Sequence, residues 1–403
     1  MLTTTAAPQF DVIIVGAGVG GAACAVAFAS VHPLRILLVE RHAGPGNINR
    51  GDSLLPAITA RFSAWGILDQ FHAAGARPLT RMQVFHHHAG LLLDAPLPTP
   101  GAHAPYLVLP HPDIERVLAE AARTTGRVEI RYRSHVQRLV EHDGRVHGVI
   151  VTDPAGDHTV TARLVIGADG SASTLRAALG ISLARESYTH SYFGADLDRP
   201  AHYTDAMRIE LHPAGGILVV PGRNHVAVAA LIHREDEEEF RRLSFRERIS
   251  LIQRRSPLLT ACQAVSENTH LYQLSRAHAA HYTAAGAVLI GDAIHLINPT
   301  AGQGMTMAIE DAAALARLLG PPLVAGVTGG ALDAFLRAYE QERWPRNASQ
   351  IRWSHWMSQC YAFGGAWGDL LRQWVFRFGA SALGRRVQQF LWARMALGKA
   401  VNL

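Results

Sequence analysis

Two apolar runs separated by an alanine-rich stretch set the pattern of the first forty residues. The runs cover residues 12–15 and 36–39, and each predicts a buried parallel strand. Between them, a glycine-rich turn at 16–21 leads into an apolar segment that predicts a helix ending near Ser30. Glu40 follows the second run directly. The pattern therefore predicts a strand, a tight turn, a helix and a second strand that ends in an acid.

Each glycine of that turn has its own physical role in a dinucleotide-binding unit. Gly16 permits the tight turn, Gly18 lets a pyrophosphate approach the backbone, and Gly21 lets the helix pack closely on the sheet. The start of the helix offers free N–H groups and a positive dipole to the phosphates. Glu40 is placed to accept hydrogen bonds from a ribose. This context predicts a nucleotide site and disfavours the alternative of a membrane span over the uncharged residues 12–31.

Similar patterns continue through the rest of the chain. Two further apolar runs, at 164–166 and 287–290, each lead into a glycine- and aspartate-containing turn. No second glycine fingerprint follows, so a separate nicotinamide domain is not expected. The remaining predicted elements are helices near 57–65, 66–73, 110–122 and 302–319, a hairpin over 83–97, strands over 128–151, a β-rich segment over 187–232, a helix that opens with the acidic run 235–239 and continues to 254, and a helical carboxyl terminus.

The composition is that of a folded chain without a strongly basic region. Hydrophobic residues make up 48% and charged residues 18% of the 403 residues, which excludes intrinsic disorder. The net charge of +5 comes from scattered arginines, so we expect no nucleic-acid partner. The three cysteines are far apart, which predicts no metal site and favours a reducing, cytoplasmic location. We also expect no signal peptide and no integral membrane span.

Several histidines, one arginine and the tryptophans have ordinary structural interpretations. His86, His87 and His88 are adjacent on a predicted strand, where side chains alternate between faces, so we interpret them as a solvated segment and not as a metal site. His295 is interpreted as a packing residue, and Arg176 as one partner of a structural ion pair. Five tryptophans are interpreted as a buried helical face, with a helix on a membrane surface as the alternative: Trp353, Trp356, Trp367, Trp374 and Trp392.

Three motifs follow one another in an order that is more specific than any one of them. They are GAGVGG at 16–21, GADGSASTLR at 167–176 and GDAIHLINPTAGQGM at 291–305. Together they resemble the motifs of the single-component FAD monooxygenases, the para-hydroxybenzoate hydroxylase superfamily, over about residues 8–346. The stretch at 50–56 resembles the squalene epoxidase, ubiquinone hydroxylase and alkylquinolone monooxygenase side of that family.

The resemblance implies a set of cofactor-binding residues. Glu40 would bind the adenosine ribose with Arg41 nearby, the backbone of Val136 would meet the adenine, and Asp292 would hold the ribityl chain. Residues 302–305 would face the isoalloxazine, whose pyrimidine edge gains negative charge that the start of a helix favours. His111 stands where many relatives carry arginine. The full set is Gly16, Gly18, Gly21, Glu40, Arg41, Arg50, His111, Val136, Asp169, Asp292, Pro299, Gly302, Gly304 and Met305; no metal ligand and no catalytic acid or base is assigned.

The resemblance also implies the fold and the function. We expect an α/β fold with a discontinuous Rossmann-like FAD-binding domain (1–75, 105–180 and 275–330), an inserted β-sheet substrate domain (76–104 and 181–274) and a helical carboxyl terminus (331–403). The implied activity inserts one oxygen atom from O₂ into an apolar aromatic or polycyclic small molecule, through a flavin hydroperoxide. NAD(P)H, binding transiently, or a partner flavin reductase would supply electrons. The alternatives are an FAD-dependent reductase of isoprenoid double bonds and a non-enzymatic flavin-binding protein.

Overall fold

The computed structural model describes residues 7–46, 53–97, 104–267, 269–363, 365–381, 383–384 and 386–387. The strands are β1 (Phe10–Val15), β2 (Ile36–Val39), β3 (Ser53–Leu54), β4 (Arg77–Pro78), β5 (Arg81–His86), β6 (Gly90–Pro96), β7 (Leu107–Val108), β8 (Val128–Arg131), β9 (His135–His142), β10 (Arg145–Asp153), β11 (Gly156–Gly167), β12 (Leu183–Asp198), β13 (Ala206–Leu211), β14 (Ile217–Pro221), β15 (His225–His233), β16 (His270–Ala279), β17 (Thr283–Ala284), β18 (Ala287–Leu289) and β19 (His295–Leu296). The helices are α1 (Val19–Val31), α2 (Pro56–Ala64), α3 (Leu68–Ala73), α4 (His111–Thr124), α5 (Thr174–Ala178), α6 (Arg234–Arg242), α7 (Phe245–Arg255), α8 (Gln303–Val324), α9 (Gly329–Ala362) and α10 (Gly365–Ala380).

A mostly parallel sheet carries the amino-terminal motif. Its order is β17-β18-β11-β1-β2-β8, and β10 and β9 extend it from the first half of β11. The two apolar runs of the sequence are its central strands, because residues 12–14 and 36–39 are buried almost completely. Helix α1 packs between α4 and α8 and is itself buried over most of its length, which explains its uniformly apolar sequence.

A second, mostly antiparallel sheet is built from the β-rich segments. Its order is β19-β16-β12-β15-β14-β13-β5-β6, and β13 and β5 form its parallel pair. Helices α6 and α7 cover part of it with a small apolar core that includes Phe193, Phe240 and Ile252. The predicted hairpin over 83–97 is confirmed as β5 and β6 at one edge. This sheet and the helical carboxyl terminus confirm the expected fold class, whereas the expected domain boundaries remain a prediction.

A buried charged cluster joins α8 to α9. Asp311 accepts hydrogen bonds from His295 and Arg343, each at 2.7 Å, and all three side chains are at most 3% exposed. Burial favours a raised pKa for Asp311, but the charge of Arg343 and the bond to His295 outweigh it and hold the pKa well below its usual range. His295 therefore joins β19 to α8 through Asp311, a packing role of the kind that the sequence interpretation expected.

The tryptophan-rich carboxyl terminus does not form the buried face that the sequence predicted. Trp356, Trp367 and Trp374 are 65%, 81% and 74% exposed, so the prediction was wrong for these residues. Helical spacing predicts that side chains share a stripe, but it does not decide whether the stripe faces the protein or the solvent. Trp392 lies outside the described residues. Within the described part of the chain, no helix is both long and apolar enough to cross a bilayer.

Candidate active site

The three sequence motifs begin at neighbouring strand ends. Val15 of β1 pairs with Gly167 of β11, and Gly167 pairs with Leu289 of β18. The backbone N–H of Ala168 donates to the carbonyl of Val15, and that of Ile290 donates to the carbonyl of Gly167. Because the carboxyl ends of parallel strands meet at one sheet edge, the turns that follow them surround a single crevice. The motifs are thus brought together as their order suggested.

The glycine turn has one open position and two closed ones. A Cβ atom on Gly16 would lie 2.4 Å from the carbonyl oxygen of Ala168, and Gly16 has a positive φ of 100°. A Cβ atom on Gly21 would lie 1.8 Å from the carbonyl oxygen of Gly16. At Gly18 the nearest atom would be 3.7 Å away, on the Glu115 side chain. The space over Gly18, at the start of α1, is therefore open to a ligand.

Glu40 lies at the end of β2 beside that turn. One carboxylate oxygen accepts from the backbone N–H of Ala17 at 2.8 Å, and the other accepts from that of His42 at 2.9 Å. Each oxygen retains a lone pair for a further donor. Arg41 is exposed next to Glu40. Buried Val136 is the second residue of β9, and the residues just before this strand, 133 and 134, donate from their N–H groups to the carbonyls of His42 and Glu40. Arg50 lies outside the described residues.

Glu115 is a site residue that the sequence analysis missed. It lies on α4 facing the open space over Gly18, its Oε2 accepts from the N–H of Gly46 at 2.9 Å, and its Oε1 is 3.4 Å from His111 Nε2. A carboxylate thus lies where a diphosphate would approach. The sequence held no signal for it, because its position depends on how the loop after Glu40 returns toward α4.

Asp169 and Arg176 connect the second motif to the third. Asp169 Oδ2 accepts from the N–H of Leu175 at 3.1 Å, while its buried Oδ1 has no partner in the described structure. Arg176 donates to the carbonyls of Ala293 and Ser171 at 2.9 and 3.1 Å. The predicted ion pair of Arg176 is therefore wrong, because its guanidinium satisfies turn carbonyls of both motifs. Asp169 keeps an acceptor that a bound group can use.

The third motif presents backbone rather than side chains. Asp292, Pro299 and Gly302 are exposed, and Gly304 and Met305 are half-buried at the start of α8, which begins at Gln303. A Cβ atom on Gly304 would approach nothing closer than Ile297, at 3.7 Å. The first N–H groups of α8 lack partners within the helix, and the helix dipole places positive charge there. This helix start is suited to an electron-rich ring edge.

A polar ladder on β12 contacts the loop before α8, and the sequence analysis missed it. Tyr188, His190 and Tyr192 occupy alternate positions, with neighbouring ring centroids 5.4 and 6.0 Å apart. The hydroxyl oxygens of Tyr192 and Thr300 are 3.1 Å apart. The alternation of aromatic and histidine residues at 188, 190 and 192 could have revealed the ladder from sequence, because alternate positions share one face of a strand.

His190 lies at the centre of this ladder and is 2% exposed. Its Nε2 is 3.1 Å from the hydroxyl of Ser358 on α9 and 3.4 Å from the side-chain nitrogen of Asn298, whereas its buried Nδ1 has no partner in the described structure. Burial, with a contribution from the charge of His233, lowers the pKa of His190 to about 4. The imidazole is therefore neutral at physiological pH and offers an unused nitrogen.

The histidine run at 86–88 is not the solvated segment that the sequence predicted. His86 is 3% exposed, accepts at Nδ1 from the N–H groups of His88 and Ala89, and donates from Nε2 to Asp369 on α10 at 2.8 Å. His86, His87 and Asp369 each offer a ligand atom within 4.8 Å of the others, so this group is compatible with a metal ion. The expected separation of the histidines by strand alternation was wrong, because β5 ends at His86 and the ring centroids of His86 and His87 lie 4.3 Å apart. The alternation also held no sign of the carboxylate from α10.

A family model for an FAD-binding domain (FAD_binding_3) matches residues 9–354 of the chain. The chain belongs to this FAD-binding family. The residues described above fit the cofactor, because they leave open space over Gly18, an acceptor on Asp169 and a half-buried helix start at Gly304 with no atom closer than 3.7 Å to an added Cβ. The cofactor expected from the sequence is thus confirmed, while the assignment of individual residues to it remains a prediction.

Similar proteins of established class agree with the family. The human ubiquinone biosynthesis monooxygenase COQ6 is 26% identical over 91% of this chain and 88% of its own length. Rifampicin monooxygenase from Streptomyces venezuelae is 28% identical over 84% of this chain and 68% of its own length. The structure of Pseudomonas aeruginosa PqsL in complex with 2-aminobenzoylacetate has a TM-score of 0.74 and 25% identity, and covers 86% of this chain and 95% of PqsL. The expected class of FAD-dependent monooxygenase is confirmed.

Proposed function

We propose that this monooxygenase hydroxylates or epoxidises an apolar aromatic or polycyclic small molecule. The contact that carries the proposal is the one between Tyr192 of the second sheet and Thr300 of the loop before α8, 3.1 Å apart. It sets the aromatic ladder of β12 beside the segment proposed to face the flavin. A substrate held by the ladder then lies next to the ring. Two similar proteins are named for compounds of this kind: rifampicin monooxygenase, and PqsL in complex with 2-aminobenzoylacetate. They support the proposed class of aromatic or polycyclic substrate.

When bound, FAD would activate O₂, so that one oxygen atom of O₂ is transferred to the substrate and the other leaves as water. Gly18 and the start of α1 would bind the diphosphate, and Glu40 and Asp292 would accept from the sugar and ribityl hydroxyls. The N-terminus of α8 orients the ring edge and stabilises its negative charge.

His190 and Tyr192 are proposed as positioning residues on the substrate side. Neutral His190 directs Nε2 toward Ser358 and Asn298, and its Nδ1 remains available for a polar atom of the substrate. Burial raises the pKa of Tyr192 to about 12, so its phenol stays protonated. Neither residue is assigned a proton-transfer step.

Electrons are proposed to come from transiently bound NAD(P)H or from a separate flavin reductase. We also propose a cytoplasmic location, which the free thiol of exposed Cys360 favours.

The experiment compares three electron sources with the FAD-loaded protein: NADH, NADPH and a flavin reductase with NADH. 2-Aminobenzoylacetate and rifampicin are the first probes of a panel of apolar aromatic compounds. We expect a compound in the panel to yield an oxygenated product together with O₂ consumption. Substrate reduction without O₂ consumption favours the isoprenoid reductase alternative. Flavin that no donor reduces favours a non-enzymatic flavin-binding protein.

A further inference from the structure

The inward side of the carboxyl-terminal helix α10 carries several polar side chains as well as half-buried Phe376, which packs on a buried apolar cluster. Asp369 contacts buried His86 of β5, and Arg372, 8% exposed, donates to the carbonyls of Tyr361 and Phe363. Gln373 also reaches His86, with its nitrogen 3.2 Å from Nε2. A surface helix normally buries its apolar stripe and exposes its polar one. These polar contacts fix α10 with the opposite orientation.

The side of α10 that faces away from the protein is apolar. Its members recur at helical spacing over three turns, so they form one continuous stripe. We call this stripe the apolar face of α10, and it consists of Trp367 (81% exposed), Leu370 (48%), Leu371 (52%), Trp374 (74%), Val375 (55%) and Phe378 (49%). Contiguous exposed apolar surface of this kind marks an interaction site.

The charge of the chain is concentrated in the same region. Residues 365–403 contain six arginines or lysines and one aspartate, a formal net charge of +5. The whole chain also carries +5, from 38 basic and 33 acidic residues, so the preceding 364 residues are neutral. Exposed Arg377 lies on α10 itself among the apolar residues. An apolar face with tryptophans inside a cationic segment matches the surface of an anionic bilayer.

A second copy of the chain fits this face less well. A symmetric dimer through α10 would bring two segments of the same positive charge together, because both subunits of such a dimer use the same patch. A membrane span does not fit either, because α10 has 16 residues and a span requires about 20. The geometry and charge are those of a helix that lies in the interface plane.

We propose that the apolar face of α10 attaches this enzyme peripherally to an anionic lipid bilayer. Trp367 and Trp374 enter the boundary between headgroups and acyl chains, and exposed Arg377 contacts the lipid phosphates. The contacts of Asp369 with His86 and of Arg372 with the carbonyls at the end of α9 keep the face exposed in the absence of lipid. The proposal is independent of the substrate, since it rests on the exterior of the carboxyl-terminal region.

The test is flotation of the full-length protein with vesicles made of equal parts phosphatidylcholine and phosphatidylglycerol, compared with vesicles of phosphatidylcholine alone. The double variant Trp367→Ser/Trp374→Ser removes the two largest members of the face. The matched control Val31→Ser/Val265→Ser removes two apolar side chains that are 63% and 58% exposed elsewhere. Thermal unfolding followed by circular dichroism checks that each variant is folded.

We expect the wild type and the valine control to float with the anionic vesicles and to bind phosphatidylcholine vesicles more weakly. Added salt should reduce binding, and the tryptophan variant should bind about tenfold or more weakly. Equal binding of the wild type and the tryptophan variant would overturn the proposal. Absence of vesicle binding by the wild type would also overturn it. If sedimentation velocity then detects a dimer that the tryptophan variant abolishes, the face binds a second copy of the chain instead of lipid.

Discussion

The hydroxyl oxygens of Tyr192 and Thr300 lie 3.1 Å apart and join the antiparallel sheet to the loop before α8. Thr300 is held in turn by Asn298, whose side-chain oxygen accepts from its N–H at 3.0 Å. Asn298 is also next to His190, so the loop and the ladder form one connected polar group. This contact sets the distance between the substrate side and the cofactor side of the proposed site.

Tyr192→Phe is expected to disturb substrate positioning without disturbing FAD binding. The ring remains packed and Thr300 keeps its bonds to Asn298, but the loop loses its tie to the sheet, which costs about 1 kcal/mol of stability. We expect unchanged FAD affinity and less oxygenated product per NAD(P)H oxidised. The control is Tyr203→Phe, which removes another buried hydroxyl, from the loop between β12 and β13, that donates to the carbonyl of Ala206. An equal loss of product yield in both variants would show that the contact between Tyr192 and Thr300 has no specific role in positioning the substrate.

Gly18→Val is expected to abolish FAD binding while the protein still folds. Gly18 has φ −63° and ψ 179°, which any residue adopts, and the space above it is open. A valine there occupies the volume that the pyrophosphate needs. Gly44→Val is the control, because a Cβ atom on Gly44 would meet nothing within 4 Å. FAD content after purification is the measurement, and full occupancy in Gly18→Val would mean that the turn does not hold the diphosphate.

Glu115→Gln is expected to strengthen FAD binding several-fold. The variant removes a negative charge from the space over Gly18 while its amide oxygen still accepts from the N–H of Gly46. The loss of one like charge near a diphosphate is worth on the order of 1 kcal/mol at the effective dielectric constant of a protein surface. The measurement is FAD affinity by fluorescence titration of the deflavinated protein, with Glu120→Gln, an exposed site on the same helix, as the control. Weaker FAD binding in Glu115→Gln would contradict this prediction and would mean that the carboxylate of Glu115 favours FAD binding.

The strand ends and the first motif could be predicted from sequence because they depend on local pattern. Apolar runs ending in glycine identify parallel strands, and Val15, Gly167 and Leu289 do lie side by side. Contacts between segments far apart in the chain have no local sequence pattern that predicts them. Glu115 reaches Gly46 across 69 residues, and Asp369 reaches His86 across 283. The ladder of β12 is visible in the sequence as alternating aromatic and histidine residues, but only the three-dimensional fold places it beside Thr300.

Acid is expected to destabilise the protein through buried His190. Unfolded histidine binds a proton below about pH 6.5, whereas the pKa of His190 in the folded protein is lowered to about 4. Stability is therefore complete above pH 6.5 and falls as pH drops toward 4, by up to roughly 3 kcal/mol for this residue. His190→Gln should lose less stability over this range in urea unfolding, while the exposed-site control His142→Gln should behave as wild type. His212 and His278, whose pKa values burial also lowers to about 4, should leave part of the slope in place.

The most direct test of the proposed activity is the origin of the oxygen atom in the product. The FAD-loaded protein is supplied with an electron donor and the aromatic panel, including 2-aminobenzoylacetate and rifampicin, under ¹⁸O₂. We predict that mass spectrometry finds one labelled oxygen atom in a product, and that the Gly18→Val protein forms none. A product that has gained hydrogen without oxygen, or oxygen that comes from water, would contradict the assignment of this chain as a monooxygenase.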